Sequence, residues 1–160
     1  MNFWLLKTEP TSFSWDDLQK SPDRTTSWDG VRNYAARNFL RAMAIGDRAF
    51  FYHSSAEPNA IHGIVEVVRT AYADETQFDR KDEHFEPRAT RAEPVWSTVD
   101  VRAHTAFPRP LALAELRAAK GLETMELLKR GTRLSVTPVT RDEWTTVCGL
   151  AGVDAGVSAG

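Results

Sequence analysis

Cysteine is all but missing: Cys148 is the one thiol in 160 residues. An internal disulfide is excluded, and a lone thiol suits a reducing compartment, so a cytoplasmic protein is expected. No apolar run is long enough for a membrane span. The opening Met1-Asn2-Phe3-Trp4-Leu5-Leu6-Lys7 has neither a basic region nor a small-residue cleavage site, so no leader and no membrane partner are expected. His53, His62, His84 and His104 lack the spacing of a metal site, and there is no glycine-rich phosphate loop. Neither a metal nor another cofactor is expected. A basic excess is missing too, because 20 Lys and Arg against 22 Asp and Glu leave a formal charge of −2. Nonspecific duplex binders draw much of their affinity from neutralising phosphates and usually carry that excess. Only residues 100–141 are locally basic. On sequence alone, a binding face and a solvated surface explain that stretch equally well.

Against these absences, 42% hydrophobic and 26% charged residues describe a globular chain able to bury a core. We expect one domain over 1–150 and a disordered tail of small residues over 151–160. Strands are expected over 3–8, 47–53, 61–72, 95–107 (ended by Pro108 and Pro110) and 134–136. Helices are expected over 14–20, 33–43, 113–119 and 123–129, with a last one opened by the capping box Thr140/Glu143. Gly63 marks a bulge or a close backbone approach. The charged stretch 79–94 reads as a long loop, a length that is often functional. Strands that do not alternate strictly with long helices point to an α+β fold around a mostly antiparallel, curled sheet.

The densest functional signal is Trp28-Asp29-Gly30-Val31-Arg32-Asn33-Tyr34-Ala35-Ala36-Arg37-Asn38. It sets an indole, a glycine turn and several planar hydrogen-bonding groups at the start of a helix. Trp28 has two readings: a platform on which a base stacks, or a ring that packs onto the sheet. Arg32, Asn33 and Asn38 offer forks for a base edge, while Asn33 is equally a helix N-cap. Arg37 and Arg41 read as surface residues or phosphate contacts. Lys7, Thr8 and Glu9 end the first strand, where Glu9 can accept from the N4 amine of cytosine or stay a plain strand end. His53 and Ser54 end another strand; a lone histidine is more often structural. Trp96 is a second aromatic wall or a sheet-packed ring, and Ser135 a hydroxyl donor or strand filler.

Five motifs now stand in order: Phe3-Trp4-Leu5-Leu6-Lys7-Thr8-Glu9-Pro10, the Trp28 segment through Leu40, Phe50-Phe51-Tyr52-His53-Ser54, Trp96-Ser97-Thr98-Val99-Asp100-Val101, and Arg130-Gly131 with Arg133-Leu134-Ser135-Val136. Together they resemble the EVE domain family over about residues 2–148. The resemblance implies a PUA-like curled β-barrel flanked by short helices. It implies a non-enzymatic reader of a modified base, of the 5-methylcytosine type, in DNA or RNA. From the density of planar groups around Trp28 together with this resemblance, Trp28, Arg32, Asn33, Asn38, Lys7, Glu9, His53, Ser54, Trp96 and Ser135 are expected at the base. Phosphate contacts fall to Arg37, Arg41, Lys129, Arg130 and Arg133. Ala36 departs from the Gln often found near that position. Two other readings remain: an amidohydrolase using Lys7, Thr8 and Glu9, as in ASCH-type relatives, and a small-molecule or protein interaction module.

Overall fold

The computed structural model describes residues 1–157. Six strands make one mixed sheet: β1 (Phe3–Thr8), β2 (Thr25–Ser27), β3 (Arg48–His53), β4 (Ala60–Ala73), β5 (Ser97–Ala112) and β6 (Val136–Val139), in the order β2-β5-β4-β3-β1-β6. Only β1 and β3 run parallel; the other neighbours are antiparallel. The sheet is curled but open, with β2 and β6 as its edges, so the expected barrel does not close. Its curl comes from repeated register shifts between the long strands β4 and β5, since each bulge adds local twist.

Both faces of the sheet are covered, which is why β1 and β3 run apolar rather than alternating. Trp4, Leu6 and Phe51 face one cluster with Leu18 of helix α1 (Trp15–Lys20) and Leu40 of α2 (Tyr34–Ala42). Phe3, Leu5 and Phe50 face the other, with Leu116 of α3 (Leu113–Ala118) and Trp144 of α4 (Arg141–Ala151). Trp144 stacks on Phe50 at 3.9 Å and Phe3 at 4.5 Å. The Ser14 and Thr140 capping boxes form as the sequence indicates.

Several boundaries differ from expectation. Strand β5 runs through Pro108 and Pro110 instead of ending there. The ladder pairs Ala106 with Gly63 and then Leu111 with Ile61, so both prolines lie where no ladder hydrogen bond is required of them. The helix expected over 123–129 is reduced to a 3₁₀ turn, Glu126–Leu128. The expected tail is packed as far as it is described: Gly152 caps α4 in the left-handed region, and the Trp144 indole N–H donates to the Ala155 carbonyl at 2.9 Å. The rest of that tail, 158–160, lies outside the described residues. Gly63 is a close approach, since a Cβ there would sit 2.5 Å from the Trp15 ring.

Candidate nucleic-acid interface

At the end of β1 and along β2, five chain segments surround a cavity of about 570 Å³. Lys7 and Thr8 come from β1, Ser12 and Phe13 from the turn after it, and Thr26 through Arg32 from β2 and the following loop; Glu83, His84 and Ser135 complete the wall. Asn33, next to the lining residue Arg32, does not itself line this cavity. A second cavity, of about 620 Å³, lies between the N-terminus and residues 138–141 and 156–157; Phe3 and Trp4 of the first motif line it, but none of the expected base or phosphate contacts does.

One buried carboxylate builds the wall. Asp74 is fully buried and accepts from the Gly30 N–H at 2.8 Å, Arg32 Nη1 at 3.0 Å, the Thr76 N–H at 2.9 Å and the Thr76 hydroxyl at 2.6 Å. Burial alone would raise its pKa, but the bonds from Thr76, Gly30 and Arg32 outweigh that and hold it below the ordinary value. Arg32 spends all its N–H groups on the protein: Nε and Nη2 on the His84 carbonyl, Nη1 on Asp74 and the Val31 carbonyl, and Nη2 also on Thr76. It thus clamps the long loop to the Trp28 segment rather than offering a fork to a ligand. Gly30 makes the clamp possible. Its φ of 79° favours glycine, and a Cβ would lie 3.1 Å from the His84 ring.

Trp28 packs against the sheet and also lines the cavity. It is 7% exposed and meets Phe51 edge-on at 5.5 Å. Its backbone N–H pairs with Val99, while its indole N–H has no hydrogen-bond partner among the described residues and is not sealed from solvent. Lys7 also lines the cavity without a bonded partner for its ammonium. Burial lowers its pKa, and Glu126 opposes that shift. Ser135 lines the wall, and its carbonyl accepts the Lys7 N–H at 2.9 Å.

The other expected base contacts are not brought here. Asn33 is the N-cap of α2, accepting from the Ala36 N–H at 3.0 Å. Asn38 is exposed and accepts from Arg37, on the outer face of the helix. Glu9 is exposed and outside the cavity; its carbonyl closes the turn to Ser12 and Phe13. His53 is buried behind α1, where Nε2 accepts the Trp15 N–H at 3.0 Å and the ring stacks on His62 at 3.7 Å. Burial, then His62, pushes its pKa down to about 4, so it is neutral near pH 7. Ser54 bonds its N–H to Thr8. Trp96 is buried under Tyr34 at 4.9 Å, with its backbone held by Gln77, and lines neither of the two cavities above. Asn33 and His53 are drawn to backbone N–H groups that the starts of α2 and α1 leave unpaired, a pull that the motif does not display.

Among the expected phosphate contacts, Arg37 and Arg41 are tied to the Val95 carbonyl, and Arg41 also to Ser97. Lys129 pairs with Glu126 at 2.8 Å. Arg130 and Arg133 are exposed and make no hydrogen bond or ion pair among the described residues, and Arg133 lies two positions before Ser135. Sequence reasoning passed over Asp29, Phe13, Ser27, Asp74 and His84. The unusual length of the 79–94 loop was the one available signal for His84.

A family model for the EVE domain matches residues 2–150. The chain belongs to the EVE domain family. Thymocyte nuclear protein 1 of Rattus norvegicus is 43% identical over 166 residues, covering 93% of this chain and 73% of that one. A crystal structure of human THYN1 protein in complex with 5-methylcytosine-containing DNA superposes with a TM-score of 0.90 at 41% identity, covering 96% of this chain and 99% of that one. A Pseudomonas putida protein of known structure superposes with a TM-score of 0.89 at 44% identity, covering 93% and 99%. These likenesses establish the PUA-like α+β fold of the EVE family for the open sheet described above.

Proposed function

We propose that this EVE domain is a non-enzymatic reader of a modified nucleobase, received in the cavity beside Trp28, in DNA of the 5-methylcytosine type. The observation that carries the reading is the cavity itself: it is lined by an indole and by polar groups that the protein leaves unspent, in a chain that superposes on a relative bound to such DNA. The base enters flipped or single-stranded, and its contacts offset an extrusion cost of a few kcal/mol. Because Trp28 is held edge-on against Phe51, it serves as a side wall and an N–H donor more than as an open stacking face. The amidohydrolase reading is disfavoured. The Thr8 hydroxyl is bonded to the Phe13 carbonyl at 2.9 Å, Glu9 lies outside the cavity, and Cys148 is buried with its thiol pushed up to about 12.

Trp28→Ala is expected to weaken binding of a 5-methylcytosine oligonucleotide at least about tenfold, the size of a lost aromatic contact. Trp28→Phe, which keeps the packing on Phe51, should lose less. Fluorescence anisotropy at fixed salt, with DNA and RNA versions of the probe, measures both. Unchanged affinity in the folded Ala variant rejects the reading.

Backbone contacts are assigned to Arg130 and Arg133. The double variant Arg130→Ala/Arg133→Ala should reduce the slope of log K against log salt by roughly one unit per contact, equally for modified and unmodified probes. An unaltered slope removes them from the interface.

A further inference from the structure

We propose that Asp29 is the specificity-determining acceptor of this site, bonding the exocyclic amine of a 4-aminopyrimidine and rejecting its 4-oxo counterpart. This rests on the base-reading role proposed above. Several polar groups around the cavity are already bonded within the protein. Arg32 is fully spent on the clamp. The Thr8 hydroxyl is given to Phe13, and that of Ser27 is shared with Thr98 and Tyr72. His84 Nδ1 faces Asp82 at 3.1 Å. The charged or strongly directional groups left are the Lys7 ammonium, the Trp28 indole N–H, His84 Nε2 and two carboxylates, Asp29 and Glu83.

Glu83 points largely into solvent, with its side chain 86% exposed and 3.8 Å from His84 Nε2. Asp29 accepts no hydrogen bond and makes no ion pair among the described residues, although it adjoins the clamp through Gly30. Asp29 is itself an exposed residue. Crowding of its carboxyl against the protein nonetheless raises its pKa, and the Asp74 charge adds to this. A charged form disfavoured in that way gains from a donor supplied by a ligand. The free hydroxyls of Ser12 and Ser135 both donate and accept, so they cannot distinguish an amine from a carbonyl.

Apart from His84 Nε2, which takes either role according to its tautomer, and the solvent-facing Glu83, the free groups are one acceptor, Asp29, and two donors, Lys7 and Trp28. A cytosine-type base offers the complement: an amine at position 4 and acceptors at N3 and O2. Thymine has nearly the outline of 5-methylcytosine but presents a carbonyl at position 4. Two acceptors would then face each other, and a site built for a hydrogen bond rejects the analogue that leaves its polar group unpaired.

The test uses two single-stranded oligonucleotides, identical except for one 5-methylcytosine or thymine, titrated at the same salt into the unchanged protein, Asp29→Asn and Asp29→Ala. The unchanged protein should prefer 5-methylcytosine at least about tenfold, the size of one good base-edge contact. Both variants should bring the two affinities within about threefold of each other. Removing a negative charge strengthens binding to any polyanion, but it does so for both probes, so the ratio reports the contact alone. If the folded Asn variant keeps the full preference, or if the unchanged protein shows none while binding both, the Asp29 assignment is overturned and the base reader stands. If the unchanged protein binds neither probe even at low salt, the base-reading role fails and takes this assignment with it.

Discussion

Asp74→Ala is expected to destabilise the protein by about 3–5 kcal/mol, the cost of removing one partner from a buried, hydrogen-bonded ion pair. The substitution strips acceptors from the Gly30 N–H, Arg32 Nη1, the Thr76 N–H and the Thr76 hydroxyl in one step. Arg32 is only partly shielded, with its side chain 21% exposed, so water recovers some of the loss on that side. Asp74 has no exposure at all, and the Ala variant leaves its former donors without their protein acceptor. The damage extends to the site, because the same carboxylate joins Gly30, at the cavity wall, to the 3₁₀ turn Glu75–Phe78 that leads into the long loop. Urea midpoints should therefore fall, and binding of the modified oligonucleotide should weaken even where the variant is folded. Asp74→Asn keeps the shape and one acceptor, and should fall between the two. A loss below about 1 kcal/mol for the Ala variant would show that the clamp is not what holds the loop.

How much of this was legible in the sequence depends on what each residue answers to. Capping boxes at Ser14 and Thr140 are local, and they form as read. Gly63 could be picked out because a glycine inside a β-branched run needs a spatial reason, here the Trp15 ring. The prolines of β5 misled for the converse reason. Their effect on a strand depends on whether the ladder needs a donor at those positions, and only the register with β4 reveals that it does not. Motif order identified the family, and Trp28, Lys7 and Ser135 do line one cavity. Yet the motif could not separate residues that face a ligand from residues that hold the wall. Arg32 and Asn33 are neighbours with similar hydrogen-bonding capacity; one is spent on His84 and Asp74, the other on a helix start. Asp29 passed unnoticed between two more conspicuous residues because its significance lies in what it does not bond.

A second large effect is expected from acid, and it traces to His53. Nε2 accepts the Trp15 N–H, so the folded state holds this imidazole neutral with its proton on Nδ1. Protonating Nε2 would break that bond and place a cation against His62 in a buried site. The folded pKa of about 4 lies below the ordinary 6.5 of the unfolded chain. Between those values the unfolded chain binds a proton that the folded one refuses, so stability rises with pH across the window. Equivalently, stability is lost as pH falls from 6.5 toward 4, and the loss is complete below that. The shift corresponds to ~3 kcal/mol. His62, also lowered by burial, acts in the same direction, whereas Asp16 opposes both. The clamp carboxylate does not confuse this measurement. Asp74 has a folded pKa below its ordinary 3.8, so its contribution persists through the histidine window and is lost only at lower pH. Urea midpoints measured from pH 7.5 down to about 4.5 should therefore fall steeply for the unchanged protein. His53→Gln keeps an acceptor for Trp15 without a titrating ring, and it should be less stable at pH 7 but flatter across the window. A variant that loses stability with acid as steeply as the unchanged chain would show that the proton is refused elsewhere. A flat variant would show that this histidine, set inside one of the family's signature motifs, anchors helix α1 to the sheet behind the cavity instead of touching the base.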